Sequence, residues 1–261
     1  MRRGLVLLAS ASLTLAGCGD SDASGSATGE AASHRELVVS AAASLTAAFT
    51  DIGAAFEEAN PGTTVTFTYG PSDGLATQIN EGAPVDVFAS ASPTWMDVVQ
   101  DEGPGVSGRT DFGRNRLAII VPIDNPAGIE DLNDLTEDDL KLVLAAEGVP
   151  AGDYAREILA NAGISDAALA NVVSNEEDVK AVVAKVLSGD ADAGIAYATD
   201  VTPDVAEQIA LITIPDDMNV IATYPIAVVS GSEEADLAQR FIDYVLDEGQ
   251  QTLAGYGFLP A

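Results

Sequence analysis

LVVSAAASLTAAFTDIGAAFEEANPGTTVTFTY, residues 37–69, is the stretch that decides the fold class. It opens on a short β-branched run, Leu37 to Ser40. Apolar residues then recur at helical spacing (Leu45, Ala48, Phe49, Ile52, Phe56), and Asn60-Pro61-Gly62 ends the helix. From Thr63 to Tyr69 the apolar side chains alternate, with Val65, Phe67 and Tyr69 on one strand face. Strand, helix and strand in this order predict an α/β protein with mainly parallel sheets.

The alternation continues along the chain. Leu75 to Gly82 reads as a helix, Val85 to Ala89 as a buried strand and Arg116 to Val121 as another apolar strand. Leu140 to Ala145, Tyr154 to Ala162, Asp178 to Ser188, Ala193 to Ala198, Ile209 to Ile214 and Tyr224 to Ser230 carry it on. Ala235 to Asp247 is an amphipathic helix with Leu237, Phe241 and Val245 on one stripe. Leu117 to Val121 and Ile226 to Val229 bracket a middle block, as in a chain that leaves one lobe, builds a second and returns. Two hinged lobes with a cleft between them are expected from this pattern.

Ahead of this region lie a basic start (Arg2, Arg3), an apolar stretch (Leu5 to Leu15) and Leu15-Ala16-Gly17-Cys18. That order describes an export signal, residues 1–17. A cysteine directly after Leu-Ala-Gly resembles the lipobox of bacterial lipoproteins, which implies a lipid on Cys18; a plain signal peptide with an incidental cysteine is the alternative. The apolar stretch is shorter than the ~20 residues a membrane-spanning helix needs. Residues 18–35 are mostly Ser, Ala, Gly and Asp, the composition of a flexible leash. Cys18 is the sole cysteine, so no disulfide forms within the chain. About 225 residues follow the leash, enough for one large domain or two small ones.

Eleven Lys and Arg stand against 41 Asp and Glu, a net charge of −30. So acidic a chain lacks the basic footprint of a nucleic-acid partner and has no means of docking on anionic lipid beyond its anchor. Most of the acids read as a solvated surface. The only histidine, His34, lies in the leash, which excludes a Ser-His-acid triad in the folded part and leaves Ser-Lys chemistry open. No Cys/His cluster offers a metal site. Asp190-Ala191-Asp192-Ala193-Gly194 departs from the spacing of a calcium loop and lacks its closing Glu.

Four segments place small or hydroxyl residues between a strand and a helix: 40–46 with Ser44, 69–75 with Ser72, 148–154 with Pro150 near a helix start, and 174–179. Each reads as ordinary capping, Ser44 and Ser72 occupying N-cap positions. Converging on one cleft, the same helix starts would form an anion site from N–H groups and hydroxyls.

In order and spacing these segments resemble the substrate-binding proteins of molybdate ABC transporters, from about Glu36 to Pro260. The pieces that carry the resemblance are Ala41-Ala42-Ala43-Ser44-Leu45-Thr46, Leu75-Ala76-Thr77-Gln78-Ile79, Gly82-Ala83-Pro84-Val85-Asp86-Val87-Phe88, Trp95-Met96-Asp97, Val149-Pro150-Ala151-Gly152-Asp153-Tyr154, Glu177-Asp178-Val179, Gly194-Ile195-Ala196-Tyr197, Tyr224-Pro225-Ile226-Ala227-Val228-Val229 and Tyr256-Gly257-Phe258. The resemblance implies a type II periplasmic-binding-protein-like fold of two α/β lobes, residues 36–116 with 226–261 and residues 117–225, with the ligand cleft between them. It also implies an oxyanion site of Ser44 and Ser72 (hydroxyl and N–H), Ala151 and Val179 (backbone N–H) and Tyr197 (phenol). Asp73 departs from the serine-rich pattern of relatives and is expected to point away from the anion.

A site made only of donors matches a tetrahedral dianion, which has four acceptor oxygens and no donor. Arg156 and Lys180 lie nearest the motifs and are expected on the surface, and Trp95 and Phe258 in the core. The expected protein is an exported monomer, held by lipid at the outer face of the cytoplasmic membrane. It captures molybdate or tungstate for an ABC permease and has no cofactor, no directly ligated metal and no catalysis. Sulfate is an alternative ligand, and a membrane-tethered enzyme of unknown chemistry is the alternative of a different class.

Overall fold

The computed structural model describes residues 34–261; the expected export signal, Cys18 and the expected leash up to residue 33 lie outside the described residues. β1 (Arg35–Ala42) leads through a 3₁₀ turn (Ala43–Leu45) into α1 (Thr46–Ala59). The chain returns as β2 (Thr63–Gly70), which pairs in parallel with β1 from Arg35 opposite Thr63 to Ala42 opposite Gly70. Arg35, assigned to the leash by composition, is thus the first strand residue. Its guanidinium pairs with Glu234 and Asp236, two acids no local sequence pattern could connect to it.

α2 (Ser72–Asn80), β3 (Val87–Ala89) and α3 (Pro93–Glu102) follow, with β3 parallel to β1 on its other side. α3 has a recognisable start: Ser92 accepts the N–H of Thr94, and Pro93 takes a first-turn position.

β4 (Val106–Pro122) is far longer than the expected strand at Arg116 to Val121. Its first part, Gly-containing and polar, has no apolar alternation to announce it. After it come β5 (Leu142–Ala145), α4 (Pro150–Asn161), α5 (Ser165–Ala170), β6 (Val172–Glu176), α6 (Val179–Leu187), β7 (Ala193–Tyr197), β8 (Ile209–Thr213), β9 (Ile221–Val229), α7 (Ala235–Leu246) and α8 (Gly249–Gly255). Pairing with β9 defines the early part of β4, across register shifts at Ser107/Thr110 and Asp111/Gly113.

The strand order is β2-β1-β3-β9-β4-β7-β5-β6, with β8 also on β4. Pairings among strands joined by helices are parallel (β1 with β2 and β3, β5 with β6 and β7), as expected. The antiparallel pairings all involve β4 or β9. β4 pairs with β9 over Val106–Arg116 and with β7 and β8 over Leu117–Pro122, so one strand runs from one half of the sheet into the other.

Burial follows the expected periodicities. In α1, Ala48, Phe49, Ile52 and Phe56 face inward; in α7, Leu237, Phe241 and Val245 do. Phe49 gathers Phe67, Phe112 and Phe241 around it at centroid distances of 6.2, 5.5 and 6.1 Å, tying α1, β2, β4 and α7 into one core.

Candidate functional site

The ends of the parallel strands and the starts of the following helices gather at one place, where such sheets bind ligands. Ser44, Ser72, Ala151, Val179 and Tyr197 all line a single pocket there, with Ala43, Ala91 and Asp178. Its volume is about 20 Å³, little more than one water-sized body requires. Among the described residues no lysine or arginine lines it.

Neither serine caps its helix as expected. Ser44 sits within the 3₁₀ turn and Leu45 takes the position before α1; the Ser44 hydroxyl instead lies 2.9 Å from the Tyr224 hydroxyl. Ser72 is the first residue inside α2, after Pro71, and its Oγ accepts the N–H of Ala91 at 3.1 Å. The physical reason is the same at both positions. A buried hydroxyl takes whichever partner the packed neighbours supply, and here those partners are distant in sequence. Each serine is buried, and Ser72, which accepts its bond, keeps its own O–H free to donate.

Ala151 is the second residue of α4 and Val179 the first of α6, so their N–H groups belong to the helix-start donors that have no intrahelical acceptor. In α4, Val149 O takes the N–H groups of Gly152 and Asp153. In α6, Asp178 Oδ1 takes that of Ala181 at 2.9 Å, which occupies the one acid lining the pocket.

Tyr197 ends β7 and is 1% exposed. Its hydroxyl is buried and finds no hydrogen-bond partner among the described residues. Burial, with the neighbouring Tyr224 and Tyr154, raises its pKa well above the usual phenol value, so it stays a neutral donor. Its backbone N–H donates to Asp200 Oδ2 at 3.1 Å. Burial pushes the Asp200 carboxyl up to about 7, against the opposing pull of the Tyr197 N–H and of Lys180.

Residues without a sequence signal support this shell. Asn115 Nδ2 donates to Thr199 Oγ1 at 2.7 Å and lies 3.5 Å from the Tyr224 hydroxyl, which in turn meets Ser44. Only the Tyr-x-x-Asp spacing that lets the Asp200 carboxylate take the Tyr197 backbone N–H was open to local reading.

Lys180 is exposed and lines a neighbouring cavity of about 170 Å³ with Ser44, Thr199 and Asp200. Arg156 is a correction to the expected surface residue. It is 19% exposed, and its guanidinium donates to the carbonyls of Ala145 and Gly152 at 2.8 Å and to Asn175 Oδ1 at 2.6 Å. Arg156 ties the first turn of α4 to the ends of β5 and β6 and does not line the pocket. Phe258 is in the core, edge-on to Tyr224 at 5.5 Å. Trp95 is only half-buried. Asp73 does not line the pocket.

Residues 37–259 match the family of bacterial extracellular solute-binding proteins. The chain belongs to that family. Solute-binding proteins of this kind work outside the cytoplasm and serve transport. Among its relatives, the molybdate-binding protein ModA of Mycobacterium bovis is 37% identical over 245 residues, covering 94% of this chain and 92% of that protein. ModA of Escherichia coli is 31% identical over 98% of both chains. The periplasmic molybdate-binding protein of Azotobacter vinelandii has the same fold, with a TM-score of 0.76 over 86% of this chain and 99% of that one at 19% identity. The small pocket lined by the five named residues lies at these helix starts. Among the described residues no helix is long and apolar enough to cross a membrane.

Proposed function

We propose that this solute-binding protein captures molybdate, and tungstate with it, and delivers it to an ABC importer while tethered by lipid at Cys18. In this reading Ser44, Ser72 and Tyr197 donate O–H groups, and Ala151 and Val179 donate backbone N–H groups. The lobes 36–116 with 226–261 and 117–225 close around the anion through the linking strands β4 and β9. No group on the protein is consumed, and the protein has no catalytic role.

One observation carries the reading: the Tyr197 hydroxyl is buried beside the pocket without a partner. A desolvated donor left unpaired costs about 1–3 kcal/mol, a penalty a bound acceptor removes. The other pocket groups point the same way. Apart from the Asp178 carboxylate, which is engaged by the Ala181 N–H, they include donors on three helix starts. Fixed backbone donors also measure ligand size, which favours molybdate or tungstate over the smaller sulfate. The overall negative charge opposes anion approach, so attraction comes from local dipoles at the helix starts.

Calorimetric titration of the purified protein with molybdate, tungstate, sulfate and phosphate tests this. Heat with the first two is expected, and a stabilisation of about 2.7 kcal/mol at a hundredfold excess over Kd. Heat with sulfate alone moves the assignment to a smaller oxyanion. No heat with any of the four removes it.

A further inference from the structure

β3 and β5 are not neighbours: β9, β4 and β7 lie between them in the sheet. Yet the segments that follow them are joined by two hydrogen bonds. The indole Nε1 of Trp95, in the first turn of α3, donates to Gly148 O at 2.7 Å. The hydroxyl of Tyr154, in α4, donates to Ala91 O at 3.4 Å. No strand pairing requires either contact, and both side chains are only half-buried. Each bond ends on backbone that leads directly into the pocket. Ala91 N–H is the group that holds Ser72 Oγ, and Gly148 begins the turn that delivers Pro150 and Ala151.

We propose that Trp95 and Tyr154 are positioning residues for the oxyanion site, a two-point latch that holds the Gly148–Ala151 turn against the Ala91–Ser72 side when the anion is bound. The inference rests on the oxyanion reading above. Both ends of the latch are stiff. Ser92 and Pro93 fix the start of α3. Gly148, with φ +88°, has its N–H held by Asp153 Oδ1 at 2.8 Å. Movement at the latch therefore passes to the Ala151 N–H instead of being absorbed locally. Burial raises the Tyr154 phenol above its usual pKa, which keeps it a donor. Trp95 is the sole tryptophan, so its indole N–H gives a single resonance that reports the latch.

The test uses the full chain as wild type, Trp95→Phe and Tyr154→Phe, each variant deleting one donor and keeping a ring. Molybdate affinity is expected to weaken about two- to tenfold for each variant, one neutral hydrogen bond's worth. The loss is expected in the dissociation rate, with the ligand-free melting temperature unchanged. In the wild type, the indole N–H is expected to exchange slowly with solvent only when molybdate is present. Variants that bind as tightly as a molybdate-binding wild type overturn the latch and leave the function standing. So do variants whose affinity falls only in step with ligand-free stability. If Trp95→Phe does not fold, Tyr154→Phe decides alone. A wild type that binds neither molybdate nor tungstate overturns the oxyanion reading and the latch with it.

Discussion

Replacing Tyr197 with phenylalanine removes one oxygen from a residue that is 1% exposed. That oxygen is buried and has no hydrogen-bond partner among the described residues. An unsatisfied buried hydroxyl carries a desolvation penalty of about 1–3 kcal/mol, so its removal relieves strain instead of breaking a bond. The small void left behind offsets part of the gain. A net stabilisation of about 1 kcal/mol raises the ligand-free melting temperature by about 2–4 °C in a protein of this size. Binding should move the opposite way. A hydrogen bond to a charged acceptor contributes about 1.5–3 kcal/mol, so molybdate affinity should fall about ten- to 150-fold. Thermal unfolding without ligand and calorimetric titration with molybdate read the two quantities separately. A variant that melts lower than wild type while binding molybdate equally well refutes the reasoning, because the hydroxyl would then serve the fold and not the anion.

Ser72→Ala strips the Ala91 N–H of its buried acceptor and should cost about 1–3 kcal/mol of stability together with some affinity, read by denaturant unfolding and titration. Gly152→Ala would drive a Cβ into the carbonyls of Ala145 and Ala146 at the first turn of α4; a loss of about 1–3 kcal/mol and weaker molybdate binding are expected, and a wild-type melting curve would contradict this. Asp200, pushed up to about 7 from 3.8, holds a proton in the folded state that the unfolded chain releases. Its contribution to stability is therefore full below about pH 4, falls as the pH rises from there through about 7, and is level above that. Asp200→Asn should flatten this part of the profile, and identical wild-type and variant slopes in melting temperature between pH 5 and 8 would argue against a buried, protonated Asp200.

How much of the molecule was legible depended on how far apart the interacting residues lie. α1 and α7 show their buried faces in their own periodicity, and Asn60-Pro61-Gly62 stops α1 where it should. The early part of β4 does not, because pairing with β9 and not side-chain alternation makes it a strand. Arg35 looked like leash because its acids, Glu234 and Asp236, come from the other end of the chain. Arg156 looked solvated because the carbonyls it fastens are invisible to a pattern of side chains.

The strand–helix alternation is a local property, so the amino-acid order alone sufficed for the α/β class. The residue types at 44, 72, 151, 179 and 197 were likewise readable, and the fold brings all five to one pocket. What each of them does there was decided only in three dimensions. Ser44 and Ser72 give up their expected capping positions for Tyr224 and Ala91, and Tyr197 is left with an unpaired hydroxyl. Hydrogen bonding inside a packed protein is settled by which groups burial brings within about 3 Å, and no spacing along the chain encodes that distance.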